Sequence, residues 1–136
     1  MSAAGERGFT LIEMLVVLAI TALVAGIAFP ALDRTMRGQA FEGAADAIEL
    51  GLRSARADAV SRGRPIKFEM GSDRRSVVVG GGVIPIPMGT VVTLPTQGIA
   101  FYGDGTSNGG RIDLVGTGRE RRLVVDPGSG AVEEVR

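Results

Sequence analysis

Glu13 is the residue whose chemistry most needs a partner. It is the one carboxylate in residues 9–30, FTLIEMLVVLAITALVAGIAFP, where every other residue except Thr10 and Thr21 is apolar or small. A charged side chain deep in a bilayer costs about 2.5–3.5 kcal/mol on insertion scales, less near a helix end. A cut between Gly8 and Phe9 would place a free α-amino group four residues before Glu13. That amine could neutralise the carboxylate within one chain or from a neighbour, and the second option would set the offset between packed helices. The plainer alternative is a carboxylate that snorkels to the headgroups.

Other chemistry-bearing residues are few. Histidine and cysteine are both absent, which removes Ser-His-Asp and Cys-His catalysis, thiolate metal sites and disulfides. Lys+Arg and Asp+Glu number 15 each, so net charge exerts no global pull toward nucleic acid or anionic membrane. Asp104, Asn108 and Asp113 carry oxygen ligands of the kind calcium takes, but their spacing is not that of an EF-hand loop and a turn explains them. Arg119, Arg121 and Arg122 form a basic cluster that could meet nucleic-acid phosphates. Glu120 interrupts it, and Tyr102 is the only tyrosine available for base stacking. A solvated strand edge protected by charge accounts for the same arginines. No metal or cofactor is expected, and no enzyme.

The elements that position these residues follow from periodicity. As a helix, residues 9–30 would extend about 33 Å, enough to cross a hydrocarbon core of roughly 30 Å. A cleaved secretory signal, with Gly26 and Ala28 at its end, is the competing reading. Glu13 inside the apolar run argues against it, and so does a helical pattern that continues past Pro30. Phe41, Ala44, Ala45, Ile48, Leu52, Ala55 and Ala59 recur at three- and four-residue spacing, with charges between them. Gly63 and Pro65 predict the stop, giving one helix over residues 9–62 of roughly 80 Å, bent near Pro30 or Gly38. From Ile66 the period becomes two. Strands are predicted over 66–70, 76–79, 91–94, 98–102, 111–115, 122–125 and 131–135, separated by glycine-rich turns that include Gly80-Gly81-Gly82. The 21 glycines fit such a body. About 70 residues of antiparallel sheet make a marginal core alone, so the 41–59 stripe should dock on it. The expected fold class is α+β, a long N-terminal helix packed on a C-terminal antiparallel β domain.

The run Gly8-Phe9-Thr10-Leu11-Ile12-Glu13 and the apolar stretch after it resemble the leader junction of the type IV pilin-like superfamily. The resemblance implies residues 1–8 as a prepilin leader, 9–30 as a transmembrane assembly helix, 31–63 as its amphipathic continuation and 64–136 as a periplasmic β-rich domain. It also implies cleavage between Gly8 and Phe9 by prepilin peptidase, N-methylation of Phe9, Glu13 as the assembly residue and Pro30 as the helix kink. Three further stretches resemble the H-type minor pseudopilins of type II secretion and the related FimT minor pilins. Residues 52–66 look like their helix end and first strand, 99–114 like their central hairpin, and 123–130 like their closing strand pair. Ser129-Gly130-Ala131 followed by Glu133-Glu134 departs from the basic C-terminal end of FimT-like proteins. The implied function is a minor pseudopilin that helps to export folded proteins, with other pseudopilins and the inner-membrane assembly platform as partners. A FimT-like pilus subunit that contacts DNA through Arg119, Arg121 and Arg122 is the alternative. An exported enzyme on an uncleaved anchor is a third, disfavoured by the missing His and Cys.

Overall fold

A computed structural model describes residues 9–116 and 118–135. Helix α1 runs Leu11–Arg62 and continues through Pro30. Eight strands follow: β1 Ile66–Met70, β2 Ser76–Val79, β3 Gly82–Pro85, β4 Thr90–Thr93, β5 Ile99–Phe101, β6 Gly110–Gly116, β7 Arg119–Val125 and β8 Val132–Val135. The chain divides into two units, residues 1–36 and 37–136. In the first unit the described residues are exposed on every face of the helix apart from Ala25, which is half-buried. The second unit holds the core.

The seven residues of the 41–59 stripe are all buried, as their spacing predicts, and Gly38 joins them. The helix stops where expected. Gly63 takes a φ of 59°, and the Arg64 amide donates to the Ala59 carbonyl at 3.3 Å, closing the last turn. The strands form two four-stranded antiparallel sheets rather than one, in orders β3-β2-β1-β5 and β4-β6-β7-β8. Phe68 and Ile99 from the first sheet and Ile112, Leu114 and Leu123 from the second are fully buried with Phe41, Ile48 and Leu52 of the helix. Alternation selects the inward set. Ile66 and Phe68 point in along β1 while Lys67 and Glu69 point out.

Two expectations need correction. Gly80-Gly81-Gly82 is not only a turn, because Gly82 opens β3, which pairs with β2. Ile84 of β3 lies against the helix at Gly51, where an added Cβ would come within 2.8 Å of its Cδ1. Residues 99–114 do not form a hairpin of β5 with β6 either, since the antiparallel contact that follows β5 is the bridge of Phe101 with Ser107. β5 pairs with β1 and β6 with β4 and β7, so the chain crosses between sheets over residues 102–109. A one-dimensional alternating pattern marks each strand but carries no information on its partner.

Three aspartates brace the loops. Asp73 Oδ1 accepts from the Arg75 amide and the Ser76 hydroxyl, Asp104 from Thr106 at its amide and hydroxyl, and Asp126 likewise from Ser129. These bonds hold all three carboxyls below the usual aspartate range. Gly130 ends the last of these loops in left-handed backbone (φ 63°), tucked against the Gly105 carbonyl and the Arg56 side chain. Gly118 is also left-handed (φ 72°) but faces open space. Gly118→Ala should therefore cost about 1 kcal/mol, from backbone strain alone. Gly130→Ala should cost at least about 2 kcal/mol more, because its Cβ also meets backbone. Urea unfolding of unit 37–136 compares the two, and equal losses would contradict this packing.

Candidate functional site

Glu13 lies in the first turn of α1 with its side chain exposed. Its amide donates to the Thr10 hydroxyl at 3.2 Å, and the Met14 amide to the Thr10 carbonyl at 3.2 Å. Thr10 is therefore the helix N-cap, a feature typically worth about 1 kcal/mol. The signal was present in the sequence as Thr10-Leu11-Ile12-Glu13, a threonine followed by glutamate three residues later. An acidic residue here also suits the positive end of the helix dipole. The Glu13 carboxylate has no ion-pair partner among the described residues. Phe9 is 70% exposed. Gly8, the other half of the expected processing junction, lies outside the described residues, as does the rest of 1–8.

α1 is the one described helix long and apolar enough to cross a membrane, and none of its most apolar window is buried by the chain. Leu11, Ile12, Leu23, Ile27 and Phe29 are each more than half exposed. A surface of this kind marks a site of contact with lipid or with another apolar surface.

The arginine cluster is not on a strand edge. β7 lies between β6 and β8, which corrects that expectation. Arg121 is 17% exposed and meets Asp46 at 2.6 Å, Glu134 at 3.0 Å, Glu49 at 3.3 Å and Glu42 at 3.7 Å. Bonds to Glu134 and Asp46 hold its guanidinium firmly in the charged form. Arg119 pairs with Glu42 at 2.6 Å and lies over Gly38, which explains why that glycine is buried. Arg122 is held by Asp113 at 2.7 Å and Glu120 at 2.6 Å. A phosphate would have to displace these carboxylates. The arginines instead join β7 to α1 and β8, partners 72 to 77 residues away in the helix.

The oxygen-rich loop is likewise committed within the chain. Asp104 holds Thr106, and Asp113 pairs with Arg111 and Arg122. The Asn108 side chain accepts from the Ala100 amide at 2.8 Å and donates to the Gly98 carbonyl at 3.2 Å.

Two family models match the sequence. One describes the prokaryotic N-terminal methylation motif and covers residues 4–29; the other describes the type II transport protein GspH and covers residues 44–129. A curated relative from Xanthomonas campestris pv. campestris, type II secretion system protein H, is 36% identical over 133 residues, spanning 90% of this chain and 78% of that protein. The chain belongs to the GspH family. Among solved structures, the GspH-family fold resembles the minor pseudopilin EpsH of Vibrio cholerae, with a TM-score of 0.58, 10% identity, and coverage of 69% of this chain and 94% of that one. It also resembles the type IV minor pilin FimU of Pseudomonas aeruginosa, with a TM-score of 0.55, 19% identity, and coverage of 70% and 92%. Both likenesses establish the pilin-like fold of this GspH family member. The methylation-motif match takes in Gly8, Phe9 and Glu13 together.

Arg121→Ala should destabilise unit 37–136 by about 2 kcal/mol, because Asp46 and Glu134 lose their arginine while Glu42 and Glu49 keep Arg119 and Arg53. The value falls below the range for fully buried pairs because Asp46 is 69% exposed. Arg53→Ala breaks one pair whose arginine is 61% exposed and should cost about 0.5 kcal/mol or less. Equal losses in denaturant unfolding would contradict the central place given to Arg121.

Proposed function

We propose that this chain is a minor subunit of a type II secretion pseudopilus. In this reading prepilin peptidase cuts between Gly8 and Phe9 and methylates the new amino terminus. Residues 9–30 hold the chain in the inner membrane as a single pass, and residues 64–136 stand in the periplasm. The part is structural, with no catalysis and no bound cofactor. The observation that carries the reading is a helix exposed on nearly every face over 9–36 that bears one unpaired carboxylate at Glu13, on a GspH-type body.

The steps follow from ordinary energetics. In the membrane Glu13 sits near the helix end, where its cost is moderate. On leaving the bilayer for a bundle of like helices it would lose water and headgroups, and an unpaired buried charge costs several kcal/mol. The free amine of a neighbour removes that cost only in one axial register. Assembly is then driven by apolar packing and placed by one ion pair. Pro30 supplies no N–H to the Gly26 carbonyl, so the helix has a natural point of bending between its apolar and amphipathic parts. Partners of this chain are other pseudopilins, the prepilin peptidase and the assembly platform. The relative named for type II secretion favours this setting over a type IV pilus, and the carboxylate-bound arginines disfavour DNA as a ligand.

Glu13→Gln should leave membrane insertion and processing intact while lowering incorporation into filaments at least about tenfold, the equivalent of about 1.4 kcal/mol. The absence of cysteine permits single-cysteine cross-linking between neighbouring helices as the readout. Undiminished cross-linking in the Gln variant would remove Glu13 from assembly.

A further inference from the structure

The two sheets present four edges, and three are guarded. β5 is covered by the segment after it. The Tyr102 amide donates to the Thr106 carbonyl, the Asn108 amide to the Ala100 carbonyl, and the Asn108 side chain bonds both Ala100 and Gly98. β8 carries exposed Glu133 and Glu134, and β3 contains Pro85, which has no N–H to offer. Charge, proline and covering segments are the usual means of keeping an edge from pairing with another chain. β4 has none of them. Its residues Thr90, Val91, Val92 and Thr93 pair with β6 on one side only, and Val91 is 64% exposed.

The free side of β4 is concave. A cleft of about 600 Å³ is lined by residues 90–96, with Glu69 and Met70 at the end of β1 and Arg74 in the following turn. Consecutive strand residues point to opposite faces, so a cleft touched by all four residues of β4 follows the strand's edge rather than one face. The backbone groups available there can be assigned. The Thr90 amide donates to the Pro87 carbonyl and therefore not to β6. Antiparallel pairing alternates, so Val92 is the next residue whose N–H and C=O turn away from β6, into the cleft.

We propose that this cleft takes an extended segment of another polypeptide, which adds to β4 as a further strand. The chemistry of that segment follows from its surroundings. Every residue of β4 is an uncharged, β-branched Thr or Val, and β-branched side chains paired across strands stabilise one another, while Glu69 and Arg74, one charge of each sign, stand at the facing wall. The fitting occupant is neutral and rich in β-branched residues. It is not supplied by a second copy of this chain, whose other edges are covered, acidic or proline-bearing. The first sheet flanks the cleft through Glu69 and Met70, with Arg74 in the turn beyond them. Backbone pairing gives such a complex its affinity, and side-chain pockets give it selectivity.

The test uses the full chain in detergent micelles and a synthetic strand of alternating threonine and valine with a lysine at each end. Amide exchange is followed residue by residue by NMR. Saturating peptide should slow exchange at Val92 at least tenfold and leave Val91 and Thr93, already bonded to β6, nearly unchanged. The same peptide N-methylated at alternate amides should bind at least tenfold more weakly. Val91→Lys should weaken binding of the unmodified peptide to a similar degree, and Val83→Lys on β3 should not. Unchanged exchange at Val92 would overturn the proposal, as would equal binding of the methylated peptide. Protection of Val92 that grows with protein concentration before any peptide is added would overturn it too, by assigning the edge to a second copy.

Discussion

The burial of one helical stripe is the constraint on which the rest of the structure depends. Phe41, Ile48 and Leu52 each remove a full side chain from water, worth about 1.5–3 kcal/mol apiece. Ala44, Ala45, Ala55 and Ala59 keep the same face flat enough for two sheets to approach it. Neither sheet closes on itself, and each has only four strands. Without the helix, Phe68, Ile99, Ile112, Leu114 and Leu123 would share a core too thin to exclude water. Gly51 shows how closely the layers meet, since Ile84 of β3 occupies the space its side chain would need.

That packing leaves the two parts of α1 with opposite requirements. The stripe at residues 41–59 is satisfied inside its own chain. Residues 9–36 find no such cover, and their apolar surface calls for lipid or for neighbouring helices. The polar side of the amphipathic part is also tied down. Arg119 and Arg121 of β7 gather Glu42, Asp46 and Glu49 from three successive turns of the helix. Charge here orients the helix on the sheet, as a complement to the non-directional burial beneath it. The same pairing changes how the arginines are read. A row of cations in the sequence becomes, in the fold, a set of internal braces.

Local features were legible in the sequence and pairings were not. The 41–59 stripe, the stop at Gly63 and the strands Ile66–Met70 and Ser76–Val79 follow from period and turn chemistry. β3 is masked in the sequence because Gly80, Gly81 and Gly82 at its start, Pro85 at its end and Pro87 beyond it read as loop, although Val83 and Ile84 have good strand propensity. The hairpin that the family resemblance implies over residues 99–114 is not a β5–β6 pair, because Asn108 turns back to cover β5 and the chain then passes to the other sheet. The partners of Arg121 lie dozens of residues away, beyond any local pattern. The spacing of Thr10 to Glu13 is that of a cap, although it lies at the edge of an apolar run that extends to Pro30. Glu13 itself stood out because a carboxylate is costly in that setting.

In the proposed function, a processed amino terminus and Glu13 together place this chain in a filament. Intact-mass and N-terminal analysis of the protein from native membranes tests it most directly. The account predicts a chain that begins at Phe9 and carries one added methyl group on its amine. A chain that begins at Met1, or one cut near Phe29, from cells with active prepilin peptidase would contradict it. In that case Glu13 would have no amine four residues away, and the apolar helix would be an anchor or a signal rather than an assembly element.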